Sequence, residues 1–142
     1  MQPLDQDTRA EPPEPFFILY LSGDEYAEEL GRLTFWVEHL LLPVYGAEVT
    51  SQSPWCPQWH QHTEAIGHLH ALWLGWQAKT GAEADAMGPL EWHRDWLGPI
   101  MEVLRHPSGP FAGCKPGMHR AKERPTVEPA AELLNGMPGP VR

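Results

Sequence analysis

WCPQWHQHTEA, residues 55–65, sets one of the chain's two cysteines among two histidines and two tryptophans, just ahead of an apparent helix start at Thr63. The other cysteine lies in GPFAGCKPGMH (109–119), again with a histidine close behind. Cys56 offers His60 at C-x3-H and His62 at C-x5-H, and Cys114 offers His119 at C-x4-H. Structural zinc takes four ligands in a tetrahedron and favours thiolate and imidazole. Joining the two pairs clips together a span of 58 residues and pins two loops against the helices between them. A long closed loop removes much entropy from the unfolded chain, which suits a small, loop-rich domain. The spacing is not that of a familiar zinc finger, and unrelated buried cysteines are the plainer alternative.

Two sharper chemistries compete with a structural metal. A thiol nucleophile, at Cys56 or Cys114, needs a histidine base within reach and a third group to orient it. No familiar cysteine-protease stretch is present. A catalytic zinc keeps three protein ligands and an open position, with a carboxylate such as Glu64 as base. Neither HExxH nor HxE…CxxC occurs.

Working outward from 55–65, the pattern is mainly helical. Ala65, Ile66, Leu69, Leu72, Trp73 and Trp76 recur at three- and four-residue steps and predict a helix over 63–79, with Gly81 at its stop. Upstream, Tyr26, Leu30, Leu33, Val37, Leu40 and Leu41 predict a helix over 24–41. Ser22 and Glu25 form a capping-box pattern at its start, and Pro43 should end it. Downstream, Leu90, Trp92, Trp96, Leu97, Ile100, Met101 and Leu104 predict a third helix from Pro89, kinked or divided at Pro99. FFILYL (16–21) reads as a short strand or as a lead-in packed on the first helix. The expected fold is a mainly α, three- to four-helix domain with long loops, stapled by one zinc and flanked by disordered tails. The expected organisation is a disordered acidic arm over 1–15, a single helical domain over 16–119 and a flexible tail over 120–142, with only Ala130–Leu134 there resembling core material.

Bulk properties narrow the function. A chain of 142 residues holds about one domain, and sixteen prolines with thirteen glycines leave much of it irregular. No apolar run approaches the ~20 residues that span a bilayer, and the acidic, proline-rich start is unlike an export signal. The expected address is therefore the cytoplasm, where a Cys56–Cys114 disulfide would be reduced. Net charge is −9, and residues 1–30 hold eight acids against one base. Such a charge opposes strong binding to phosphate backbones. The exception is KPGMHRAKER (115–124), where Lys115, Arg120, Lys122 and Arg124 form a basic contact patch or simply a solvated segment. Tryptophans at helical steps (55/59, 73/76, 92/96) could build an aromatic platform, but packing is their plainer use. His39, His68, His70, His93 and His106 carry the same caution, and Glu64–His68 reads as a surface pair.

FWVEHLLLPVY (35–45), WCPQWHQHTEA (55–65), LHALWLGWQ (69–77), WHRDWLGPIMEVL (92–104) and GPFAGC (109–114) together resemble the DUF4913 family. Its members are small proteins common in actinobacteria and in their plasmids, phages and integrative elements. The resemblance spans about residues 30–119. The family's Trp-Cys-x-x-Trp-x-x-His-x-Glu-Ala pattern falls on Trp55, Cys56, Trp59, His62, Glu64 and Ala65. Its Gly-Pro-Phe…Cys falls on Gly109, Pro110, Phe111 and Cys114, with His119 after it. Thr63 stands where the family often has proline, and threonine can cap the helix in its place.

The resemblance favours His62 over His60 and implies the ligand set Cys56, His62, Cys114 and His119. It brings no established activity. The expected function is a non-enzymatic, zinc-stabilised accessory module of a mobile genetic element that binds another protein and touches no membrane. Any direct binding of nucleic acid by such a module is expected to be weak; a DNA-associated regulator or conjugative-transfer accessory is the alternative, and a zinc hydrolase stands behind both.

Overall fold

A computed structural model describes residues 16–128. The expected arm over 1–15 and the part of the tail that contains Ala130–Leu134 lie outside the described residues. The chain from 120 to 128 is exposed and has no regular structure.

Three long helices make the fold. The first, α1, runs without a break through Gly23–Trp36, a π-helical turn Val37–Leu41 and Leu42–Tyr45. Helix α2 is Thr63–Thr80. Helix α3 repeats the composition of α1: Gly88–Glu91, a π-helical stretch Trp92–Leu97 and Gly98–Leu104. There is no strand among the described residues; FFILYL supplies a 3-10 turn at Ile18–Tyr20 that drops Ile18 into the core. No described helix is long and apolar enough to cross a membrane.

Pro43 does not end α1, contrary to expectation. A proline cannot donate a helical hydrogen bond and its ring clashes with the carbonyl four residues back. The wide turn ahead of it absorbs both defects, since the Leu42 N–H reaches back five residues to the Val37 carbonyl. Pro99 follows the second π stretch in the same way, so α3 also continues through its proline. Each wide turn holds a histidine whose Nδ1–H returns to the carbonyl four residues earlier, His39 to Phe35 at 3.0 Å and His93 to Pro89 at 2.7 Å. His93 then accepts at Nε2 from the Tyr45 hydroxyl at 2.7 Å, which fastens the end of α1 to α3.

The core lies between α2 and its two neighbours. Leu33, Val37 and Leu41 of α1, and Ala65, Ile66, Leu69 and Leu72 of α2, are buried as their spacing predicts, and Trp36 and Trp92 join them. Trp92 is wholly enclosed, and its indole N–H donates to the Leu72 carbonyl at 3.1 Å, so its polar edge is satisfied inside the core. On α3 the expected stripe is only partly kept: Leu104 is buried, but Leu90 and Trp96 are 53% and 42% exposed. The capping box is not formed either. Gly23 follows Ser22 with φ +58°, and the Ser22 side chain makes no cap bond.

Two buried polar residues bind outlying segments to the helices. His70 accepts at Nδ1 from the Ile18 N–H (3.3 Å) and donates at Nε2 to Glu29 (2.7 Å), tying the lead-in segment, α1 and α2 together. Arg105, at the end of α3, donates to the carbonyls of Glu48, Ser53 and Pro54. It thereby holds the loop before residue 55 against the helix end, on the approach to Cys56.

Candidate metal centre

The two loops meet in front of the N-terminus of α2. On the first, Trp55 packs on Phe111 with ring centroids 4.8 Å apart, and Trp59 is buried at the head of a 3-10 turn, Trp59–Gln61. These anchors fix Cys56, which has no exposed surface, and His62, the residue at which α2 begins. The His62 carbonyl accepts the first helical bond, from the Ile66 N–H, while its ring turns away from the helix. On the second loop, Cys114 and His119 bracket a tight turn closed by paired bonds between Lys115 and Met118, with Gly117 at φ +77°. Gly113 sits at φ +83° just before Cys114, and a Cβ there would lie 2.5 Å from Arg120 Cδ.

Four donor atoms converge. Cys56 Sγ lies 3.2 Å from His119 Nδ1, Cys114 Sγ lies 3.5 Å from His62 Nε2, and all four lie within 4.8 Å of one another. Cys56, His62 and Cys114 are buried and His119 is half-buried. The arrangement can hold a metal ion. Phe111 meets the His62 ring edge-on at 5.2 Å and helps to set its orientation.

The electrostatics suit a cation. Burial, helped by the neighbouring Cys114 and opposed by a hydrogen bond from the Gln58 backbone, pushes the Cys56 thiol up to about 11. A bound cation reverses that preference, because a coordinated thiol is deprotonated outright. Burial, reinforced by His119 and Lys122, moves the His62 pKa down and so favours the neutral imidazole that ligates metals. The Arg120 N–H donates to Cys114 Sγ at 3.3 Å, so each sulfur has a backbone amide beside it. Sequence reading named neither amide, because main-chain donors carry no residue signature.

His60, the alternative ligand, is not in the cluster. The 3-10 turn carries it to the other side of the loop, where it stacks on Trp59 at 3.8 Å and its Nε2 meets Thr34 Oγ1 at 2.8 Å. Since the Thr34 hydroxyl donates to the Leu30 carbonyl, His60 is the donor, and it links the loop to α1. Glu64 is exposed and pairs with His68 at 3.6 Å, as expected of a surface pair. Among the basic residues, Lys122 donates to the Gly109 carbonyl (2.6 Å) and Arg120 to that of Ala112 (3.5 Å), so both fold back on the loop that carries Cys114. Lys115 and Arg124 are exposed.

A family described as a domain of unknown function (DUF4913) matches residues 31–133. This chain belongs to the DUF4913 family. The matched segment contains all four converging donors and all three helices except the first turns of α1. No curated protein and no solved structure matches the chain.

Proposed function

We propose that this DUF4913 chain is a zinc-stapled, non-enzymatic module that works in the cytoplasm by binding another protein, in the mobile-element setting the family resemblance implies. The observation that carries the zinc reading is the convergence of two sulfurs and two imidazole nitrogens within 4.8 Å. With Zn–S near 2.3 Å and Zn–N near 2.0–2.1 Å, a tetrahedron has S···N edges of about 3.5 Å and an S···S edge of about 3.8 Å. The separations of 3.2 and 3.5 Å need only small adjustments to reach those edges. A mixed thiolate–imidazole tetrahedron points to zinc among common metals.

Four protein ligands leave zinc no position for water, so the metal serves the fold. Closing 58 residues is worth on the order of 4 kcal/mol by the chain-entropy logic of a cross-link. What remains for function is surface. The overall charge of −9 opposes DNA, and two of the four clustered bases contact the chain's own carbonyls. A protein partner is the class that fits, with charge steering the encounter.

The test is affinity purification of the full chain from its native host, wild type beside Cys114→Ser, with mass spectrometry of what is retained. A specific protein held by the wild type and lost with the metal supports the reading. Duplex-DNA binding that persists at physiological salt would replace it with a regulator. Zinc-dependent hydrolysis abolished by Glu64→Gln would replace it with an enzyme.

A further inference from the structure

A cavity of about 660 Å³ opens between the end of α1, the loop that follows it and the second half of α3. It shares no residue with the metal centre. Arg105, only 7% exposed, is part of its lining. Three main-chain carbonyls occupy that guanidinium, Pro54 at Nε and both Glu48 and Ser53 at Nη2. Nη1 has no partner among the described residues, and it is not sealed from solvent. Carbonyls bring dipoles but no countercharge. No described carboxylate pairs with Arg105, although Glu102 lines the same cavity. Burial lowers the guanidinium pKa, and no acid offsets it. Arginine is almost never buried to this degree without a paired charge, and an anion in the cavity supplies one.

We infer that the cavity binds a carboxylate carried on an apolar stem, with the carboxylate at Arg105 Nη1 and the stem along Ala47, Pro99 and Met101. The two Nη1 hydrogens are donors for the carboxylate oxygens. His106, also in the lining, has another to add. Its Nδ1 accepts from the Ser108 N–H at 3.0 Å, which leaves the ring proton on Nε2.

Charge and lining select the class of anion. Arg105 brings one positive charge, and Glu102 opposes a second negative one, so a phosphate dianion is disfavoured. Ala47, Pro99 and Met101 give a bare ion nothing, whereas an apolar stem buries surface against them. The volume is that of a small-ligand pocket. A free organic acid and the C-terminal residue of a protein both carry the required group. The inference rests on neither the zinc nor the protein-partner reading.

The test is a nuclear magnetic resonance titration of the full chain with sodium acetate, butyrate and hexanoate at constant ionic strength. It is followed at the Arg105 Nε–H and at the backbone amides of 52, 53 and 101–106. Affinity is expected to rise at least about four-fold from each acid to the next, as the longer stem buries more surface. Glu102→Gln, an exposed change that leaves the carbonyl clamp intact, should bind hexanoate about three-fold more tightly, because one opposing charge is gone. Arg105→Ala, with its fold checked in the same spectra, should bind none of the three. An apolar tripeptide that outbinds hexanoate, and whose C-terminal amide does not bind, assigns the carboxylate to a protein chain end; tighter binding of hexanoate assigns it to a free acid. The absence of a saturable shift with hexanoate overturns the proposal. Equal affinity for acetate and hexanoate, or tighter binding of inorganic phosphate, overturns it too. So does an affinity unchanged in Glu102→Gln, since the ligand would then lie elsewhere.

Discussion

Glu29 and His70 show how much one buried pair decides. His70 has no exposed surface, and its two ring nitrogens bind the Ile18 amide and the Glu29 carboxylate. Partial burial pushes the Glu29 carboxyl up, but hydrogen bonds from His70 and Arg32 outweigh this and hold it below its ordinary 4.5. A carboxylate with a depressed folded pKa adds stability above its unfolded pKa and loses it as pH falls through the folded one. Glu29→Gln should therefore cost about 1 kcal/mol at pH 7. Its melting temperature should approach that of the wild type as the pH is taken below 4.5, a convergence read by scanning calorimetry. Nothing in the sequence signals this pair, because a histidine on an apolar helix face has no periodicity of its own. The choice between His60 and His62 is also made residue by residue. By elemental analysis, His60→Ala should keep stoichiometric metal and lose only its contact with Thr34, whereas His62→Ala should lose the metal.

At the scale of elements, the faces of α1 and α2 were legible because Leu, Ile and Val at three- and four-residue steps leave one stripe to bury. The metal-centre loops were legible for a different reason: the chain has only two cysteines, and each is followed within six residues by a histidine. The path of α1 past Pro43 was not legible. Its solution is a widened backbone turn upstream, at Val37–Leu41, with no side-chain signature. The second such turn, Trp92–Leu97, puts more residues into a turn and shifts the phase of α3 from Trp92 onward, and Trp96, inside it, leaves the buried stripe. Arg105 joins the end of α3 to three loop carbonyls. Arg105→Ala should cost about 2–3 kcal/mol, with the loss seen in urea unfolding and amide exchange rising first over residues 48–55. Gly113→Ala should cost about 1–3 kcal/mol through left-handed strain, and should weaken metal retention because the distortion falls next to Cys114.

For the whole molecule, the helices form a core that the loops only partly cover, and one four-donor cluster brings both long loops together in front of α2. Metal removal should therefore act globally. Chelation of the full chain is expected to lower its melting temperature in a reversible, metal-dependent way, because binding free energy at such a site is folding free energy. The most direct measurement is zinc K-edge X-ray absorption on the purified full chain. The account predicts one zinc per chain with about two sulfurs near 2.3 Å and two nitrogens near 2.0–2.1 Å. A first shell with an exchangeable oxygen, a single sulfur, or no stoichiometric zinc at all would contradict it.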